Sequence, residues 1–191
     1  NRYMDYLLKE IALVTQGQVK KEVSSLYFGG GTPALAIDRL GEVIDSLTSH
    51  FEITQGIGIE LHPSNVTEKL LQKLSDIGVT KISIGIQSFQ DKFLGILGRK
   101  ENRFETMFDA LQKVSFETIA MDFIFALPNQ TFQNLQKDIE VAFSNGANHI
   151  AIYPFIDFGF LESGIQEFQK KEKRALLKQI TDYCEERGYT R

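Results

Sequence analysis

The chain has 191 residues, 42% hydrophobic and 24% charged, an ordinary globular composition that excludes a disordered or fibrous protein. Lysine and arginine number 21 against 25 aspartates and glutamates, a net charge of −4, which gives no basic footprint for duplex nucleic acid or an anionic membrane. No apolar run approaches the roughly 18 residues of a membrane span, no signal segment opens the chain, and a lone Cys184 makes neither an internal disulfide nor a metal cluster. The expectation is a cytoplasmic protein held together by its core.

In chain order, Tyr3 to about Val14 has helical spacing, and a first strand is expected at Val23–Gly29. Leu40, Val43, Ile44, Leu47 and then Phe51 form the apolar side of the next helix. A strand at Ile57–His62 leads to a helix at Glu68–Ile77, capped by Thr67 and ended by Gly78. Lys81–Ser88 reads as the third strand, followed by a helix ending before Gly98-Arg99 and another carrying Phe104, Met107, Phe108 and Leu111. Strands at Thr118–Leu127 and His149–Ile156 flank a helix from about Phe132 to Ser144, with Gly146 past its end. Residues 157–166 read as a loop, and a last helix opens at Lys170 with Leu176, Leu177, Ile180 and Cys184 on its apolar side. The alternation implies right-handed βαβ crossovers and a parallel sheet, either doubly wound or part of a barrel.

In both architectures the ligand sits at the C-terminal ends of the strands, so the polar residues there are the candidates. Gly29-Gly30-Gly31-Thr32-Pro33 closes the first strand with backbone bare enough for close approach, yet has neither the lysine of a phosphate loop nor GxGxxG spacing. Glu60 and Asp122 are carboxylates in otherwise apolar strands and need partners, because an unpaired buried charge costs several kcal/mol. Gln87 offers a donor and an acceptor, as a sugar hydroxyl requires, and Arg99 can pair a carboxylate bidentately. Each has a bland reading: a tight turn, a Glu60–Arg99 ion pair, a loop amide, a satisfied core acid. Together on one rim they suit a ligand with an amino acid end and a ribose. His50, His62 and His149 are spaced too irregularly for a metal motif.

With these residues in place, the chain resembles the radical S-adenosylmethionine enzymes, and within them the oxygen-independent coproporphyrinogen III oxidase group. The carriers are Phe28-Gly29-Gly30-Gly31-Thr32-Pro33, Ile59-Glu60-Leu61-His62-Pro63, the SIGIQSF run from Ser83 to Phe89, Gly98-Arg99, the D-x-x-x-x-LPxQT run from Asp122 to Thr131, and His149 to Pro154. The resemblance implies a partial (β/α)6 TIM-like barrel of parallel strands whose first strand lies before Asn1. It implies S-adenosylmethionine as cofactor: the backbone of Gly30 and Gly31, with Thr32, at the methionine amino end, Glu60 close by, and Arg99 at its carboxylate. Gln87 and Asp122 are then expected at the ribose hydroxyls and Ile156 beside the adenine.

The resemblance also implies a [4Fe-4S] cluster held by a CxxxCxxC loop. This chain lacks the loop, and its start at Asn1 without Met favours a fragment whose cluster cysteines lie upstream, over a protein that has lost its cluster. The implied activity is reductive cleavage of S-adenosylmethionine, hydrogen abstraction and oxidative decarboxylation of porphyrinogen propionates, with an electron donor protein as partner. The alternatives are a haem chaperone of the same family, a cluster-less S-adenosylmethionine-binding domain, and a plain barrel that binds a phosphorylated metabolite. The expected organisation is a core over residues 1–158 continued by a loop and C-terminal helix over 159–191.

Overall fold

The computed structural model describes residues 2–99, 104–157 and 167–190. The chain divides into two compact units, Asn1–Ile84 with Phe104–Ile119, and Gly85–Arg103 with Ala120–Arg191.

In the first unit α1 (Arg2–Thr15) buries Met4 and Ile11, two turns apart, against Val43 of α2 (Ile37–His50). Thr15 turns its hydroxyl back onto the Ile11 carbonyl at 2.7 Å, and Gly17 lies just beyond the helix with φ 71°. The strand expected at Val23–Gly29 is instead two short ones, β1 (Lys21–Val23) and β2 (Leu26–Phe28). β1 pairs in parallel with β3 (Phe51–Ile53), and β2 with β4 (Ile57–Leu61). The step between them is held by Gln55 N donating to Ser24 O at 2.6 Å and Leu26 N donating to Gly56 O at 3.3 Å.

Phe51 is therefore not on the apolar side of α2. Its backbone is extended (φ −127°, ψ 140°), and its helical spacing from Leu47 is outweighed by a ladder with β1. β4 pairs in parallel with β5 (Lys81–Gln87) from Gly58↔Lys81 to Leu61↔Ile84, giving the order β2-β4-β5. Between β4 and β5 runs α3 (Glu68–Asp76), where the Thr67 hydroxyl caps Leu70 N at 3.2 Å and Gly78 follows at φ 88°, as the sequence implies. α5 (Glu105–Leu111) completes this unit, Phe104 being its cap residue. Ile59, Ile82, Ile84, Leu71 and Leu74 are fully buried and form the ordinary interior of a parallel sheet under helices.

The second unit holds the last residues of β5, α4 (Asp91–Ile96), β6 (Thr118–Phe125) from Ala120 onward, α6 (Phe132–Ser144), β7 (His149–Pro154) and α7 (Lys170–Glu185). β6 and β7 run parallel from Ala120↔His149 to Phe125↔Pro154. α6 opens with a reciprocal cap, Asn134 N donating to the Thr131 hydroxyl and Thr131 N donating to Asn134 Oδ1 at 2.9 Å. The loop expected at 157–166 lies, beyond Asp157, outside the described residues.

The core here joins Phe125, Leu135 and Ile139 to Leu176, Ile180 and Tyr183 of α7, with Cys184 half-buried against it. Burial pushes the Cys184 thiol pKa up, which disfavours the reactive thiolate. Leu177 departs from the expected apolar side and is 39% exposed, against 2% for Ile180. Ile180→Ala is therefore expected to lower the unfolding free energy by about 2–5 kcal/mol, and Leu177→Ala by less than about 1 kcal/mol, both measured by urea unfolding.

Candidate functional site

In the first unit the site begins where β2 runs out. Gly30 has φ 103°, a conformation that costs an L side chain, and its N–H donates to Glu60 Oε2 at 2.9 Å. A Cβ on Gly29 would stand 3.0 Å from Glu60 Oε1, whereas around Gly30 and Gly31 nothing lies within 4 Å of that position. The three glycines thus have separate duties. Gly29 leaves room for the carboxylate, Gly30 takes the left-handed bend, and Gly31 presents open backbone.

Thr32 leads into a 3-10 turn at Pro33–Ala36 without spending its hydroxyl on a cap. A cavity of about 440 Å³ opens beside the turn, lined among others by Tyr27, Phe28, Gly31, Thr32 and Pro33. Glu60 sits half-buried on β4 opposite Ser83. Its carboxylate, bound to one backbone N–H, retains acceptor capacity suited to a positively charged donor.

In the second unit the strand ends carry the other candidates. Gln87 ends β5 at φ 70°, a left-handed bend at a residue with a full side chain. Arg99 follows Gly98 (φ 65°) at the end of α4, where its own N–H donates to Leu94 O at 2.9 Å. Arg99 Nη1 donates to Gly85 O at 2.9 Å, and partial burial draws its pKa down from its ordinary high value. Asp122 is half-buried on β6 opposite Ala151 of β7. Ile156, 55% exposed just past β7, lines a cavity of about 590 Å³ with Ile96, Leu97, Gly98, Ile124 and Tyr153. That apolar lining suits a flat ring. Lys173 of α7 secures this segment by donating to Phe155 O and pairing with Glu167.

Two buried polar groups, Gln130 and Asp138, were given no role of their own in the reading of the sequence. Gln130, 2% exposed, closes the exit of β6, with Oε1 accepting from Leu127 N at 3.2 Å and Nε2 donating to Ile124 O at 3.3 Å, across Ala126 at φ 62°. Asp138, 1% exposed on α6, accepts from Ser88 Oγ at 2.7 Å, Gln90 Nε2 at 3.0 Å and Phe89 N at 3.2 Å. A signal was available. Asp138 lies three residues after Leu135 and four before Ala142, on the helix's buried stripe, where a carboxylate requires an explanation.

Residues 2–142 match the Radical SAM superfamily. The chain belongs to that superfamily. It is similar to the heme chaperone HemW of Bacillus subtilis (strain 168), 28% identical over 162 residues, which cover 82% of this chain and 43% of that protein. It is also similar to an oxygen-independent coproporphyrinogen III oxidase of Helicobacter pylori, 23% identical over 202 residues, covering 98% of this chain and 44% of that protein. Among solved structures, coproporphyrinogen III oxidase (HemN) from Escherichia coli, a radical SAM enzyme, superposes with a TM-score of 0.83 at 20% identity, over 99% of this chain and 46% of that one. That likeness shows the fold: part of a TIM-like α/β barrel of parallel strands, as expected. The chain spans less than half the length of these relatives.

Members of the superfamily generally use S-adenosylmethionine and a [4Fe-4S] cluster. The open glycine turn beside a carboxylate and the apolar pocket at Ile156 fit the first. The second does not fit this chain, whose one cysteine is half-buried on α7 and which, among the described residues, brings no three His, Cys, Asp or Glu side chains together to hold a metal.

Gly30→Ala is expected to lose about 1–2 kcal/mol of stability through its left-handed φ, and Gly31→Ala less than about 0.5 kcal/mol, compared by urea unfolding. Burial raises the Asp138 carboxyl pKa more than its hydrogen bonds lower it, so the native state holds this proton to a higher pH than the unfolded chain. Its contribution is fully present below the unfolded pKa and is lost as pH rises through the raised native one. The stability of the wild type relative to Asp138→Asn should therefore fall as pH climbs from about 4 and then level off, in parallel pH-dependent unfolding series.

Proposed function

We propose that this chain is the S-adenosylmethionine-binding part of a radical SAM oxidoreductase resembling the oxygen-independent coproporphyrinogen III oxidases. The observation that carries the reading is the bend at Gly30, tied by its N–H to Glu60, with open space around the Cβ positions of Gly30 and Gly31. An α-amino group is a cationic multiple donor, and a half-buried carboxylate beside an open glycine turn is its natural acceptor. In the first unit Gly30, Gly31 and Thr32 thus meet the methionine amino end, with Glu60 balancing its charge.

In the second unit Arg99 places Nη1 on Gly85 O and, among the described residues, has further donors to give a carboxylate. Gln87 and Asp122 bond the ribose hydroxyls, and Ile156 covers the adenine within its apolar pocket. A [4Fe-4S] cluster would supply the electron for reductive cleavage, and the described residues of this chain offer it no set of ligands. The residues of this chain bind the sulfonium compound, fix its ends and keep water from its base.

The substrate class is a porphyrinogen, decarboxylated at its propionates, with electrons from a donor protein. A second reading, a haem carrier of the same family, is favoured by the 28–29% identity to three heme chaperones against 23% to the Helicobacter oxidases. Full-length protein that shifts the Soret band of haem on stoichiometric titration and leaves coproporphyrinogen unchanged would decide for the carrier.

Charge-assisted hydrogen bonds contribute roughly 1.5–3 kcal/mol each. Glu60→Ala and Asp122→Ala are accordingly expected to weaken S-adenosylmethionine binding about tenfold or more in isothermal titration, with circular dichroism unchanged. Absence of saturable binding by the wild type would refute the reading.

A further inference from the structure

Resting on the assignment of Gln87 to the ligand, we propose that Asp138 is the positioning residue for Gln87. It clamps the segment after β5 so that the left-handed bend is populated before any ligand arrives. Three consecutive residues after Gln87 converge on this one carboxylate: Ser88 through Oγ at 2.7 Å, Phe89 through its backbone N–H at 3.2 Å and Gln90 through Nε2 at 3.0 Å.

The clamp is closed on itself. Gln90 N donates to Ser88 Oγ at 3.1 Å, Gln90 Nε2 also donates to Asn134 O at 2.9 Å, and Asn134 Nδ2 returns a bond to Gln90 Oε1 at 3.0 Å. Ser88 is fully buried, and Phe89 packs edge-on against Phe123 of β6, ring centroids 5.7 Å apart. Every one of these groups belongs to the second unit.

A residue with a side chain holds φ 70° only where its surroundings over-determine it. The surroundings of Gln87 on its C-terminal side are this network, and its one charged member is Asp138. The carboxylate never has to touch the ligand. It sets the direction in which the amide of Gln87 leaves the strand, which is a matter of preorganisation.

The test is a double-mutant cycle on S-adenosylmethionine affinity, measured by isothermal titration on the whole chain, with Gln87→Ala, Asp138→Ala, their combination and Asp138→Asn. The expected result is a loss of about tenfold for each alanine variant, a double variant no weaker than either single, and near-complete rescue by Asp138→Asn, whose amide keeps an acceptor for the Phe89 and Gln90 donors. Independent losses that multiply in the double variant, or a wild-type affinity for Asp138→Ala beside a weakened Gln87→Ala, would overturn the proposal.

A second readout separates this from the reading beneath it. Without ligand, Asp138→Ala is expected to speed amide hydrogen exchange at Gln87–Gln90 at least tenfold more than at Lys81–Ile84, and Asp138→Asn much less. If the wild type binds no S-adenosylmethionine, that reading falls while such an exchange pattern still supports the clamp; uniform acceleration across the chain would overturn the clamp itself.

Discussion

An ionised carboxylate is among the most expensive groups a core can hold, and the second unit buries one at Asp138. Removing Asp138 from water costs several kcal/mol unless the charge is answered by hydrogen bonds. The answer here comes from three successive residues, Ser88, Phe89 and Gln90. Because the donors are consecutive, satisfying the charge also fixes the backbone that carries them. The left-handed bend at Gln87 costs on the order of 1–3 kcal/mol. It persists because straightening it would strip partners from a carboxylate whose desolvation already costs more than the bend.

The same problem, turning the chain sharply at the end of a parallel strand, has other solutions in this molecule. After β2 glycines accept the bend, and Glu60 ties the Gly30 N–H. After β6 a buried amide takes that role, Gln130 replacing both a donor and an acceptor of the interrupted ladder around Ala126. The choice has a chemical consequence. A glycine exit leaves bare backbone, suited to the short polar end of an amino acid. An exit at a residue such as Gln87 delivers a side chain, suited to hydroxyl groups that need a donor and an acceptor together.

Strand and helix alternation was legible because periods of 2 and 3.6 are properties of local sequence. The division of Val23–Gly29 into β1 and β2 was not, since strands of three residues exist only through their partners, and β1 has its partner in Phe51–Ile53, whose first residue has the spacing of a helix face. Glu60 was legible as a carboxylate in an apolar strand, but its partner was not. The group it binds is a backbone N–H, which every residue but proline carries and which Gly30 exposes only through its φ of 103°. Asp138 was hidden among the polar residues of α6, although its phase along the helix places it on the buried stripe.

Binding and redox chemistry make different demands on a chain. A cluster needs several thiolates, and Cys184 is one thiol, half-buried against the core of α7 with its pKa raised by burial. Recognition of a sulfonium amino acid with a nucleoside needs a carboxylate, a guanidinium, hydroxyl partners and an apolar slot, the roles proposed for Glu60 in the first unit and for Arg99, Gln87, Asp122 and the walls around Ile156 in the second. None of these groups changes oxidation state, and Gln87 and Glu60 owe their surroundings to hydrogen bonds made within the chain. On the proposed reading none of these contacts requires iron, so nucleotide affinity and electron transfer would be measured as separate quantities.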